Sequence, residues 1–178
     1  GIRLTSQTAA AAGFVRDQLA AGRQAYIVYP LVDESEKLAV GAATAAFAEW
    51  SDRLAGKRVG LIHGRMSGEE KDRVMSGFRQ GSIDALVTTT VIEVGVDVPN
   101  ANTMLVYHAE RFGLAQLHQL RGRIGRGGHK SYCVLLVDPE QDGARERLRI
   151  LEETRDGFRI AEEDLRRRGP GEVLGTMQ

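Results

Sequence analysis

Between Gln116 and Gly128 the chain reads QLHQLRGRIGRGG, setting Arg121, Arg123 and Arg126 among Gly122, Gly125, Gly127 and Gly128 with no acidic residue between them. A guanidinium is planar, permanently charged and forked, so it can engage two oxygens of one phosphate. Glycines let the backbone turn tightly and bring such groups close to a bulky anion. The chemistry that fits is an arginine presented to a transferring phosphoryl group. Charge there spreads over the γ-phosphate oxygens, and one guanidinium contributes roughly 10³ to 10⁵ in rate. The alternative is a helix that ends at Gly122, with Arg121 and Arg123 complementing its C-terminal dipole.

What accompanies these arginines limits the chemistry. A chain that holds a nucleoside triphosphate by itself carries G-x-x-x-x-G-K-[ST], whose backbone N–H groups and lysine cradle the phosphates. The pattern does not occur: the pair Gly56 and Lys57 is followed by Arg58 and lacks the upstream glycine. His63, His108, His118 and His129 show no zinc-type spacing, and Cys133 is the single cysteine. Asp33 to Glu36 (DESE) reads as a solvated helix start or, less simply, as a metal-binding carboxylate pair. No nucleophile elbow G-x-S-x-G is present. The expectation is a phosphate-directed site without a bound metal of its own.

Lys plus Arg equals Asp plus Glu at 24 each, so no overall basic field draws the chain to nucleic acid, and any polyanion site must be local. With 178 residues, one domain and an appendage are expected. The lone cysteine fits a reducing compartment. No apolar run approaches the roughly 20 residues of a membrane span, and no leader pattern opens the chain. A soluble, cytoplasmic protein or a piece of one is expected.

The elements that must carry the arginines alternate. Apolar strand patterns lie at Gln24 to Tyr29, Arg58 to His63, Ile83 to Thr90, Thr103 to His108 and Ser131 to Val137. Their near-continuous hydrophobicity predicts strands covered on both faces. Helical patterns fall at about residues 6 to 21, 36 to 54, 67 to 80 and 113 to 122; in the third, Ser67 and Glu70 form an S-x-x-E box and Gly81 stands at the C-terminal glycine position. This order predicts an α/β fold, a mainly parallel sheet with helices on both faces, with ligands beyond the carboxyl ends of the strands. From about 142 to 154 and 160 to 168 two charged amphipathic helices are expected, then a shaped glycine-rich loop in RGPGEVLGTMQ. The division is a domain over residues 1–140 and a hairpin appendage over 141–178.

Gln119, Gly122, Arg123, Gly125 and Arg126, standing as QLRGRIGR, resemble motif VI of superfamily 2 helicases. Those enzymes have two RecA-like lobes with ATP in the cleft between them. The first lobe carries the phosphate loop and the metal-binding acids, and the second supplies arginine fingers. The resemblance implies that Arg123 and Arg126 are those fingers with Gln119 nearby, and that ATP and Mg²⁺ are bound mainly by an N-terminal helicase lobe outside this chain. VTTTVIEVGVDVP (Val87 to Pro99) is similar to motif V. By that resemblance Thr88, Thr89 and Thr90 contact DNA phosphates, while Gly95 and Asp97 face the ATP cleft. LIHGRMSGEEKDRVMSGF resembles the segment after motif IV and implies that DNA passes His63, Gly64 and Arg65; VYPLVDESE resembles motif IV itself.

The ends of the pattern, AERFGLAQLHQLRGRIGRG and DLRRRGPGEVLGTMQ, resemble bacterial DNA translocases that reverse stalled replication forks, and their relative, the transcription-repair coupling factor. Asp164, Arg168, Gly169, Gly171, Gly175 and Gln178 match the translocation motif shared by these two, which implies a coupling role. Other readings stand beside these. Three threonines at a strand end can reflect β-propensity, His63 can be a satisfied structural histidine, and Arg166 to Arg168 can pair with Glu162 to Asp164 on a solvated helix. Trp50 and Phe112 could stack bases but fit core or lobe-contact roles more simply. Two functions remain: the second motor lobe of an ATP-dependent DNA helicase acting on branched or duplex DNA, inactive as an isolated fragment, or a non-catalytic DNA-binding or protein-docking module with a RecA-like fold.

Overall fold

Strand residues alternate between two apolar environments, and this alternation builds the layers. The computed structural model describes residues 1–31, 36–89, 98–124 and 127–176, with the backbone alone for residues 36, 142 and 169–176. Six strands, β1 (Ile2–Thr5), β2 (Gln24–Val28), β3 (Val59–Ile62), β4 (Ala85–Thr88), β5 (Ala101–Val106) and β6 (Tyr132–Leu136), form one sheet in the order β1-β6-β5-β2-β4-β3. Every pairing is parallel.

Ala25, Ile27, Val87, Leu105 and Val134 point to one face, where α1 (Thr8–Ala20) and α2 (Glu36–Arg53) cover them with Val15, Leu19, Trp50 and Leu54. Tyr26, Val28, Leu86, Met104 and Leu135 point to the other face. There α3 (Gly68–Arg79), α4 (Leu114–Arg121) and the C-terminal helices α5 (Asp142–Leu148), α6 (Ile150–Glu153) and α7 (Gly157–Thr176) close the second core. Trp50 and Phe112 are buried in these cores, and Trp50 Nε1 donates to the Tyr29 hydroxyl at 2.9 Å. Among the described residues no helix is long and apolar enough to cross a membrane.

α3 forms as its signals predict: Ser67 accepts from the Glu70 N–H at 3.1 Å, and Gly81 takes φ +84°. Two differences from the sequence reading stand out. β1 carries no strand signal because only Leu4 of its four residues is buried; pairing with β6 at the sheet edge defines it. The tail is the second correction: α7 continues as helix through Gly169, Gly171 and Gly175 to Thr176, where a shaped loop was expected. Glycine costs about 1 kcal/mol and proline about 3 kcal/mol inside a helix, yet neither residue excludes helical dihedrals. Leu148, Ile150, Leu151 and Ile160 belong to the same core as the sheet face. Each such side chain contributes about 1.5 to 3 kcal/mol on burial, so the hairpin is built onto the sheet by its own apolar residues.

Candidate functional site

α4 leads into the arginine run, and its apolar spacing sets its orientation. Leu114, Leu117 and Leu120 recur every three residues and are buried. The helix starts with the Gly113 N–H donating to Gln116 Oε1 at 3.0 Å, and ends with the Gly122 N–H donating to the His118 and Gln119 carbonyls. Gln119 and Arg123 are exposed, on the side away from this core.

Arg121 is half-buried and committed within the fold. Its Nη1 donates to the carbonyls of Leu151 at 2.8 Å and Thr154 at 3.1 Å, the last turn and cap of α6. It complements a helix C-terminus, as the dipole reading expects, but the helix is α6 rather than its own. Its Nη2 donates to His118 Nδ1 at 2.6 Å. Burial first, then the Arg121 charge, lowers the His118 pKa from its ordinary 6.5, which keeps the imidazole neutral and able to accept.

The hairpin also grips the start of α4. Arg147, on α5, donates from Nη2 to the Glu110 carbonyl at 2.9 Å and the Phe112 carbonyl at 3.1 Å, fixing the 3-10 turn over Ala109–Arg111 that precedes the helix. Arg168 lies 3.3 Å from Asp164 and brings its Nη2 to 3.1 Å from where a Cβ on Gly113 would stand. Gly157, at the start of α7, packs against His118 near the end of α4. Helix α7 thus runs back along α4, and the hairpin holds the arginine-bearing helix at both ends. The sequence reading missed Arg147; its one signal is that Ala144 and Leu151, at i−3 and i+4, frame an arginine with apolar residues. The Arg166 and Arg167 guanidiniums pair with Glu163 at 2.6 and 2.7 Å, as the solvated-helix reading holds.

Beyond α4 the chain reaches the amino edge of the sheet. Gly127 lies against Pro99, just before β5, so closely that a Cβ would overlap the Pro99 carbonyl. The sequence reading puts ligands at the loops beyond the carboxyl ends of the strands. That rule concerns loops leading from strand to helix, whereas this run leads from helix back to strand.

The carboxyl edge carries the other predicted residues. His63 follows β3, and its Nδ1 accepts from the Arg65 N–H at 3.2 Å; Gly64 and Arg65 are exposed. Thr89 donates its N–H to the Ile62 carbonyl at 3.2 Å and is 5% exposed, while Thr88 is fully buried. Both threonines are therefore buried at the carboxyl end of β4. Thr90, Gly95, Asp97, Arg126 and Gln178 lie outside the described residues.

Comparison with known proteins accords with this geometry. The family described as helicase conserved C-terminal domain matches residues 10–128. The ATP-dependent DNA helicase RecG of Acidithiobacillus ferridurans is 58% identical over 167 residues, covering 93% of this chain and 24% of that protein. The Bacillus subtilis RecG is 52% identical over 166 residues, with the same coverage of 93% and 24%. The chain therefore spans about a quarter of the length of these relatives. A solved structure of RecG bound to a three-way DNA junction superposes with a TM-score of 0.79 at 49% identity, covering 97% of this chain and 22% of that one. The C-terminal domain of the DEAD-box protein Dbp5, at 18% identity and a TM-score of 0.51 over 84% of this chain and 82% of that one, shares the fold alone. The chain belongs to the helicase conserved C-terminal domain family, and within it matches the C-terminal helicase lobe of RecG.

Proposed function

We propose that this chain is the second motor lobe of an ATP-dependent DNA helicase that acts on branched DNA in recombination and repair, in the bacterial cytoplasm. Arg123 and Arg126 reach the γ-phosphate of ATP, with Gln119 beside them and Gly95 and Asp97 lining the same cleft. ATP and Mg²⁺ are held mainly by the N-terminal lobe of the full-length protein; the metal neutralises phosphate charge there. Guanidiniums fit this anion because they stay charged and can bond two oxygens, and Arg123 is exposed. His63, Gly64 and Arg65, with Thr88, Thr89 and Thr90, meet the DNA backbone.

The observation that carries the proposal is the bracketing of α4. Arg147 and Arg168 meet its start, and Arg121 joins its end to α6. A shift of the arginine turn on hydrolysis is then transmitted to the hairpin, where Asp164, Arg168, Gly169, Gly171, Gly175 and Gln178 couple it to movement on DNA. The relatives named as DNA helicases and the junction-bound relative support DNA as the substrate.

The test is fork-stimulated ATP hydrolysis by the full-length protein carrying Arg126→Ala or Arg123→Ala, beside fork binding without turnover. Hydrolysis is expected to fall about a thousandfold or more with binding retained. Unchanged hydrolysis would mean that these arginines serve the DNA or a helix end.

A further inference from the structure

Polar side chains that the function above does not use meet at the amino edge of the sheet. Arg23, in the turn between α1 and β2, donates from Nη1 to Asn100 Oδ1 at 2.9 Å and to His129 Nε2 at 2.7 Å. A guanidinium can only donate, so His129 accepts at Nε2 and carries its proton on Nδ1. Asn100 is fixed in turn: its Nδ2 donates to the Gly22 carbonyl at 2.9 Å, and its own carbonyl accepts from the Gln24 N–H at 3.1 Å. Two residues on, buried Asn102 donates from Nδ2 to Gln18 Oε1 at 3.0 Å and to the Lys130 carbonyl at 3.1 Å. Its Oδ1 accepts from the Thr103 hydroxyl at 2.9 Å.

These bonds join two strips of chain that are remote in sequence. Residues 98–102 form the exit of the segment that carries Gly95 and Asp97, and residues 127–130 form the exit of the arginine run. Gly127 seats one strip on the other at Pro99, the Asn102 side chain ties them again at Lys130, and Arg23 bridges them from a third element. We infer that Arg23, through Asn100 and His129, is a positioning residue that holds the exits of the two ATP-facing segments at one fixed spacing. The inference rests on the motor-lobe reading. With the spacing fixed, Arg123 and the segment before Pro99 meet the nucleotide as one unit. A 1 Å misplacement of a catalytic group costs on the order of a hundredfold in rate. A misplacement of about half that size, from loosening one of the three ties, costs about tenfold. A lysine at position 23 has a single ammonium on a flexible stem and replaces the planar fork only in part.

The experiment measures fork-stimulated ATP hydrolysis by the full-length protein with Arg23→Ala, His129→Ala and His129→Gln. Thermal unfolding is recorded for each variant, and Arg123→Ala serves as the reference. The expected result is a kcat about tenfold lower in Arg23→Ala and several-fold lower in His129→Ala. KM for ATP stays within about twofold, and His129→Gln, which restores an acceptor, recovers most of the loss. A kcat within twofold of the unsubstituted protein in both alanine variants overturns the inference, as does an equal loss in His129→Gln and His129→Ala. If Arg23→Ala unfolds, exposed His129 decides by the same criteria. An unsubstituted protein without fork-stimulated hydrolysis overturns the motor reading and this inference together. Dependence on Arg123 without dependence on Arg23 or His129 overturns the inference alone.

Discussion

The Arg121 guanidinium sits 2.8 Å from the Leu151 carbonyl, so a residue of the arginine run closes the end of a helix 30 positions further on. Hydrogen bonds to charged groups contribute about 1.5 to 3 kcal/mol, and the loss of this donor leaves two carbonyls under-satisfied. Arg121→Ala is expected to destabilise the hairpin by about 2 kcal/mol. Amide exchange over 142–154 should quicken by more than tenfold in the full-length protein, while the strand amides of β2 and β5 stay protected. Unchanged exchange in α5 and α6 would show that the bond does not hold the hairpin.

His118 gives this joint a pH dependence. Its pKa is lowered in the fold by burial and by Arg121, so the unfolded chain binds the proton more readily. The contribution to stability is present above the unfolded value near 6.5 and is lost as pH falls through the lower folded value. The melting temperature of the unsubstituted protein should therefore drop more steeply between pH 6.5 and pH 5 than that of His118→Gln. Parallel slopes would contradict this.

Arg58 and Asp84 make a second titratable tie, between the start of β3 and the start of β4. The Asp84 carboxylate accepts from the Arg58 N–H at 2.8 Å and from its guanidinium at 3.1 Å. Burial opposes ionisation, but the Arg58 bonds outweigh it and hold the pKa below the ordinary 3.8. Stability from this group is present above 3.8 and lost as pH falls through the folded value. Asp84→Asn is expected to cost about 1 kcal/mol at pH 7 by denaturant unfolding, after discounting for the exposed Arg58. The difference should shrink as pH falls below 3.8.

Gly127 leaves no space for a side chain against Pro99. Gly127→Ala must push the exit of the arginine run away from the strip before β5. Hydrolysis by the full-length protein is expected to fall about a hundredfold, with the melting temperature lowered by only a few degrees. Gly128→Ala meets open space but strains a φ of +81°, so its loss should be smaller. Equal losses in the two variants would remove the steric explanation.

Cys133 is fully buried on β6, and burial pushes its thiol up to about 12. Alkylation at this residue, followed by mass spectrometry at pH 8, should be undetectable in the folded protein and rapid in denaturant. Modification without denaturant would show that β6 opens readily.

Much of this protein is determined by sequence alone because the determining physics is local. Continuous apolar runs such as QAYIV specify buried parallel strands, the Ser67 and Glu70 spacing starts α3, and QLRGRIGR marks the arginine run. These signals lie within a few residues of the structure they form. What the tertiary structure decided is which partner each polar group finds. The motif spacing sets Arg123 and Arg126 apart from Arg121, but that Arg121 is spent on carbonyls of α6 is a choice set by where the hairpin packs on α4. The placement of Thr88 inward, of β1 as a strand, and of the arginine run and the His63 turn on opposite edges likewise follows from sheet pairing and helix direction. Long-range contacts fix these features, and no short window of sequence encodes them.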